Sequence, residues 1–84
     1  MSDKISLYVD VPGINEGENF LVPSEMMVCD AISLIISLLS EEYPGIFERS
    51  DNHALMQRIS GKELNNSCSF KQLNIINGEE LILL

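Results

Sequence analysis

The sequence predicts an α+β fold in which one long helix lies across one face of a mixed sheet of four to five strands, in the order β-β-α-β-β. Three features carry that expectation. The chain opens on a strict two-residue apolar alternation, continues into a helical apolar repeat from Met27 to about Ser40, and then returns to short alternating segments bounded by Gly, Pro and Asn. With 84 residues, the chain can close one modest core, and nothing in it repeats or thins into a linker, so 1–84 reads as a single domain.

Ile5, Leu7, Val9 and Val11 alternate with Lys4, Ser6, Tyr8 and Asp10, which is the pattern of a strand with one buried face. Pro12-Gly13 breaks it. The stretch Asn15-Glu16-Gly17-Glu18-Asn19 reads as a long acidic turn, after which Phe20 and Val22 resume the alternation until Pro23 ends the ladder. The two segments form a predicted hairpin.

Ser24 or Glu25 is placed to open the helix, and Val28, Ile32, Ile35, Ile36 and Leu39 recur at helical spacing on the face turned to the sheet. A second stripe, Met27, Ala31, Leu34 and Leu38, lies beside the first and leaves a polar face of Cys29, Asp30, Ser33, Ser37 and Ser40. The two stripes together span roughly 200°, where a helix on a sheet needs little more than about 100°. The surplus needs cover, either from the connector Tyr43-Pro44-Gly45-Ile46-Phe47 or from another chain. Met27, Leu34 and Leu38 are therefore candidate residues for self-association into a homo-oligomer.

After a polar loop over Glu48 to Asn52, Leu55, Gln57 and Ile59 alternate with Met56 and Arg58 in a third strand that ends at Ser60-Gly61. Lys62-Glu63-Leu64 begins a return, with Lys62 facing solvent, and Asn65-Asn66-Ser67 has turn chemistry. Phe70, Leu73 and Ile75 read as core contacts from a short turn or helical segment. Asn77-Gly78 then introduces the last strand, Glu80 to Leu84. Both chain ends are expected in adjacent central strands.

Charge and composition exclude several function classes. Thirteen acids against five bases leave a net charge of −8, which repels a phosphate backbone and an anionic membrane surface alike; nucleic acid is not an expected partner. The apolar run from Met26 to Leu39 is too short to span a bilayer and is interrupted by Asp30, Ser33 and Ser37, so no direct membrane insertion is expected. The N-terminal Met1-Ser2-Asp3-Lys4 lacks the succession of a signal peptide, which points to a cytoplasmic location. Cys29 and Cys68 have neither the density nor the spacing of a disulfide scaffold and read as reduced thiols.

Catalytic chemistry has no foothold in the pattern. His53 is the one histidine, with Asp51 two residues before it, and no phosphate, hydride, hydrolase or zinc motif occurs. The pairs Glu41-Glu42 and Glu79-Glu80 lack the alternating oxygen ligands of a calcium loop. No catalytic residue, cofactor site or metal site is assigned.

The C-terminal half, Ile59-Ser60-Gly61-Lys62-Glu63-Leu64, Ser69-Phe70-Lys71-Gln72-Leu73-Asn74-Ile75 and Glu80-Leu81-Ile82-Leu83-Leu84, resembles the corresponding run of ubiquitin. Leu21-Val22-Pro23-Ser24 with Val28 and Ile32, Phe70 with Leu73 and Ile75, and Asn77-Gly78-Glu79-Glu80-Leu81 are similar to the YukD/EsaB family of small ubiquitin-like proteins of Gram-positive bacteria. That family is associated with type VII (WXG-type) secretion. The resemblance implies a ubiquitin-like β-grasp fold and a non-catalytic accessory or regulatory protein that binds secretion-system components.

Two other readings stand beside it. One is a β-grasp module of another assembly, including the cytosolic ubiquitin-like domain of a larger membrane component of the same machinery. The other is a modifier or sulfur carrier, which the ending Leu81-Ile82-Leu83-Leu84 disfavours because adenylation of such relatives uses a flexible Gly-Gly tail. In ubiquitin the open sheet face carries the main recognition patch. Here alternation brings Ser6, Tyr8, Met56, Arg58, Ile82 and Leu84 to that face, and Tyr8, Met56, Arg58, Ile82 and Leu84 are the candidate protein-binding residues.

Overall fold

The opening alternation becomes strand β1, Lys4–Val11, with Ile5, Leu7, Val9 and Val11 buried on one face. The structure, a computed structural model, describes residues 3–45 and 53–84. Strand β2, Glu16–Pro23, runs antiparallel to β1 along its whole length, from Val11 opposite Glu16 to Lys4 opposite Pro23. The expected long acidic turn is therefore short. Pro12–Ile14 makes one tight 3-10 turn, and Asn15 closes it in the left-handed conformation at φ 55°, with its N–H donating to the Pro12 carbonyl. Glu16 to Asn19 are strand residues, because the antiparallel pairing of eight residues outweighs their polar composition.

Helix α1 spans Val28–Glu42, and Val28, Ala31, Ile32, Ile35, Ile36 and Leu39 are its buried residues. Ala31, expected on the surplus stripe, belongs to the core. The helix starts later than Ser24 or Glu25 and has no side-chain cap: Met27 occupies the cap position. Its first free N–H groups are satisfied by tertiary contacts instead, Val28 donating to the Cys68 carbonyl at 2.9 Å and Cys29 to the Asn66 carbonyl at 3.2 Å. Ser24 is buried just before it, and its carbonyl accepts from Lys71 at 2.8 Å.

Strand β3 is only Leu55–Gln57, shorter than the alternation through Ile59 suggested. Arg58–Ser60 turns away, Gly61 sits at φ +70° with its N–H on the Gln57 carbonyl, and Ile59 is 89% exposed at the tip of that turn. The chain comes back through a bridge between Met56 and Glu63, and Leu64 is buried with its N–H on the Leu55 carbonyl. That return is the rudimentary fifth strand. Phe70 and Ile75 are buried as expected, and Leu73 packs partly against the same core.

Strand β4, Glu79–Leu83, lies between β1 and β3, parallel to the first and antiparallel to the second, giving the order β2-β1-β4-β3. The first and last strands are thus the two central neighbours. Asn77-Gly78 docks β4: the Asn77 Oδ1 accepts from the Ser6 N–H at 2.7 Å, and the Gly78 N–H donates to the Ser6 carbonyl at 2.7 Å. One continuous core of β1, β2, α1, β3, β4 and the Leu64–Ile75 segment fills the space under the helix. The architecture is the expected ubiquitin-like β-grasp, and among the described residues it leaves the opposite sheet face open.

Candidate functional site

The open face takes its residues from the positions that alternate with the core. Register places Tyr8 beside Glu80 and Asp10 beside Ile82, and Met56 opposite Ile82 from the other side. Arg58 follows the end of β3, where its N–H donates to the Glu80 carbonyl at 3.1 Å. Tyr8, Met56 and Ile82 are half-buried and Arg58 is exposed. These four are brought together on one face.

Arg58 reaches across β4 to Asp10, Nη1 to Oδ2 3.5 Å, and both side chains stay partly in water. A pair so exposed adds little to stability but holds the guanidinium over the middle of the face. Leu84 sits apart, at the far end, 52% exposed and tied by its backbone to Ala54 in both directions. The Nδ1 of His53 lies 3.1 Å from the Leu84 carbonyl.

Two participants escaped sequence reasoning. Leu21 in β2 is on the same face and 64% exposed, yet the register that puts it there depends on the short hairpin turn. Gly17 lies under the Tyr8 ring: a Cβ at Gly17 would overlap Oη, Cζ and Cε2 of Tyr8. A glycine within an apparent turn gave no sign of that role.

On the helix side, Met27, Leu34 and Leu38 are each about two-fifths exposed, which leaves part of the second stripe in water. Tyr43 packs partly against the core, while Ile46 and Phe47, the rest of the expected cover, lie outside the described residues. Beside this stripe the inner face of β2 begins with Glu16 and Glu18 before Phe20 and Val22, so two carboxylates meet the C-terminal end of α1.

The Tyr43 hydroxyl donates to Glu16, and that hydrogen bond, with some desolvation and the nearby carboxylates, pushes the phenol up to about 12. Partial burial, a hydrogen bond with Glu42 and repulsion from Glu42 and Glu16 raise the Glu18 carboxyl above its ordinary value. The described ion pairs, Arg58 with Asp10 and Lys71 with Glu25, involve none of these acids.

Among the described residues no three His, Cys, Asp or Glu side chains gather where they could hold a metal ion. Cys29 and Cys68 are free thiols, Cys29 exposed at the first turn of α1. No described helix is long and apolar enough to cross a membrane.

No protein-family model matches the chain, and no curated protein matches it. Solved structures do. The N-terminal ubiquitin-like domain of the 4931431F19Rik protein superposes with a TM-score of 0.79 at 19% identity, over 100% of this chain and 76% of that one. The EccD5 ubiquitin-like domain from Mycobacterium xenopi gives 0.78 at 9% identity, over 98% and 93% of the two chains. The ubiquitin-like domain of the Mycobacterium tuberculosis type VII secretion system protein EccD1 gives 0.70 at 15% identity, over 98% of each. At these identities the likeness establishes the ubiquitin-like β-grasp fold.

Proposed function

We propose that this chain is a non-catalytic protein-interaction domain, a small cytoplasmic accessory or regulatory component of a Gram-positive type VII-like secretion system. The observation that carries the interaction role is the gathering of Tyr8, Ile82 and Met56 around the Asp10–Arg58 pair on the open face. Aromatic, Met and Arg side chains around an apolar centre are the composition of protein-contact surfaces. Leu84 and Leu21 extend the apolar area toward its two ends. The secretion assignment draws on the resemblance to the YukD/EsaB family, and the likeness to the EccD1 domain supports it.

That same likeness favours a second reading, in which the chain corresponds to the cytosolic ubiquitin-like domain of a larger membrane component of such a machine. Self-association through Met27, Leu34 and Leu38 is compatible with either reading and draws on their exposure.

The test is affinity capture from a Gram-positive cytosol and membrane extract, with the native protein beside a folded Tyr8→Ala, Met56→Ala, Ile82→Ala variant. Recovery of secretion components by the native protein alone supports both the assignment and the face. Recovery by both proteins moves the contact off this face, and a set of unrelated partners removes the secretion assignment.

A further inference from the structure

The outer edge of β2 presents an unused hydrogen-bonding row. Ser6 turns its backbone N–H and C=O toward the β4 side, where they meet Asn77 and Gly78. These groups alternate in direction along a strand, so Ile5, Leu7, Val9 and Val11 exchange bonds with Val22, Phe20, Glu18 and Glu16 of β2. The Ser24 N–H on the Asp3 carbonyl at 2.7 Å continues the same phase. The N–H and C=O groups of Gly17, Asn19 and Leu21 therefore point out of the sheet, and among the described residues β2 has a strand neighbour on one side only. Edge strands usually blunt such a row with lysine, a central proline or a bulge. Here Pro23 stands at the end of β2, and no lysine or bulge interrupts residues 16–22.

Next to the edge runs the exposed flank of α1. Leu34, Leu38 and Glu42 follow at four-residue intervals and share one row of the helix surface. The Tyr43 hydroxyl, which follows the last turn of α1, donates to Glu16, and the Glu42 and Glu18 carboxyls lie close enough to repel, so the C-terminal end of that row lies beside β2. Leu34 and Leu38 are 41% and 44% exposed, so an apolar strip borders the free strand edge. At the Glu16 end of the strip, Glu16, Glu18 and Glu42 stand together at the negative end of the helix dipole, with no described ion pair to offset them.

We propose that the β2 edge and the Leu34–Leu38 flank of α1 bind an extended peptide segment of a partner protein by strand addition, with alternate apolar residues on the flank and Lys or Arg at the end that meets Glu16, Glu18 and Glu42. Main-chain bonds to Gly17, Asn19 and Leu21 supply affinity that tolerates sequence, the flank selects apolar side chains, and the three carboxylates set direction. The site uses the main chain of the β2 edge and the helix flank, not the Tyr8, Met56 and Ile82 side chains of the open face, and it stands or falls independently of the secretion assignment.

The probe is a labelled synthetic peptide of about ten residues, alternating Val and Thr and ending in three lysines, set against the same peptide ending in three glutamates. The lysine peptide binds at least about tenfold more tightly, weakens as salt is raised, and shifts the amide resonances of Gly17, Asn19 and Leu21. Asn19→Pro removes an outward N–H at an edge position that tolerates proline, and it abolishes binding. Glu18→Lys, a side-chain change that leaves the outward main-chain groups of β2 in place, lowers affinity roughly tenfold or more.

Equal affinity for the two peptides overturns the proposal, as does binding that survives both Asn19→Pro and Glu18→Lys. Loss of binding in the Tyr8→Ala, Met56→Ala, Ile82→Ala variant, with Asn19→Pro still binding, moves the peptide to the open sheet face. A native dimer that Asn19→Pro dissociates assigns the edge to a second copy of the chain and overturns the peptide assignment.

Discussion

The ring of Tyr8 fills the space that a side chain at Gly17 would need, two residues along β2 from its own partner Asn19 across the β1–β2 pair. The contact fixes where the one aromatic of the open face rests. Alanine at Gly17 displaces the ring, and we expect Gly17→Ala to destabilise the protein by about 1 kcal/mol. In a Tyr8→Ala background the overlap is gone and the same change is expected to stabilise by about 0.5–1 kcal/mol, since the unfolded chain loses freedom. Denaturant melts of the four proteins in the cycle check the reversal of sign.

Leu38 and Leu39 are neighbours in sequence with opposite fates, 44% and 0% exposed. Leu39→Ala opens a cavity under the helix and is expected to cost about 2–5 kcal/mol. Leu38→Asp leaves the fold intact at a cost below about 1.5 kcal/mol, from helix propensity and the nearby acids, and weakens any dimer built on the helix flank. Thermal unfolding with size-exclusion chromatography separates the two effects; unfolding of Leu38→Asp would place that leucine in the core.

Glu18 carries a folded-state pKa above its unfolded value, so its sign is opposite to that of a salt-bridged carboxylate. Its favourable contribution is fully present below the unfolded value near 4.5 and is lost as pH rises through the raised folded value. Stability from this group therefore increases on mild acidification. Glu18→Gln should flatten that part of the stability profile, measured by urea melts across the acid range, and a native profile with no such component contradicts the Glu18–Glu42 contact.

Tyr43 obeys the same rule at the other end of the scale. Its phenol is held protonated to about 12, against 10.0 for an unperturbed tyrosine, chiefly by the hydrogen bond to Glu16. The stability it lends is complete below 10.0 and disappears as pH rises toward about 12. Ultraviolet titration should show a late-ionising tyrosine that vanishes in Tyr43→Phe and moves to lower pH in Glu16→Gln.

Gly78 holds φ at +89°, a conformation that costs an L side chain roughly 1–2 kcal/mol, and its N–H docks β4 on Ser6. Gly78→Ala is expected to lose about that amount while keeping the fold, which a chemical melt with a heteronuclear spectrum verifies.

Much of this protein is written in local pattern. The alternation of Ile5, Leu7, Val9 and Val11 and the spacing of Val28, Ile32, Ile35, Ile36 and Leu39 give strand and helix with the right faces buried, because burial of one face imposes periods of two and about 3.6 on any sequence. Tyr8, Met56 and Ile82 could be placed on the open face for the same reason. Tertiary structure decided what no local window carries. Pairing with β1 drew Glu16 to Asn19 out of an apparent turn and brought Leu21 to the open face. The Gly61 turn cut β3 short and exposed Ile59. Carbonyls of Asn66 and Cys68, nearly forty positions away in the chain, cap α1, which was expected to open at Ser24 or Glu25. In β2 and at the start of α1, backbone hydrogen bonds to another segment outweighed the preference of the residues themselves, since an unmet buried N–H or C=O costs more than a modest local propensity can return, whereas the turn at Gly61 is closed locally on the Gln57 carbonyl.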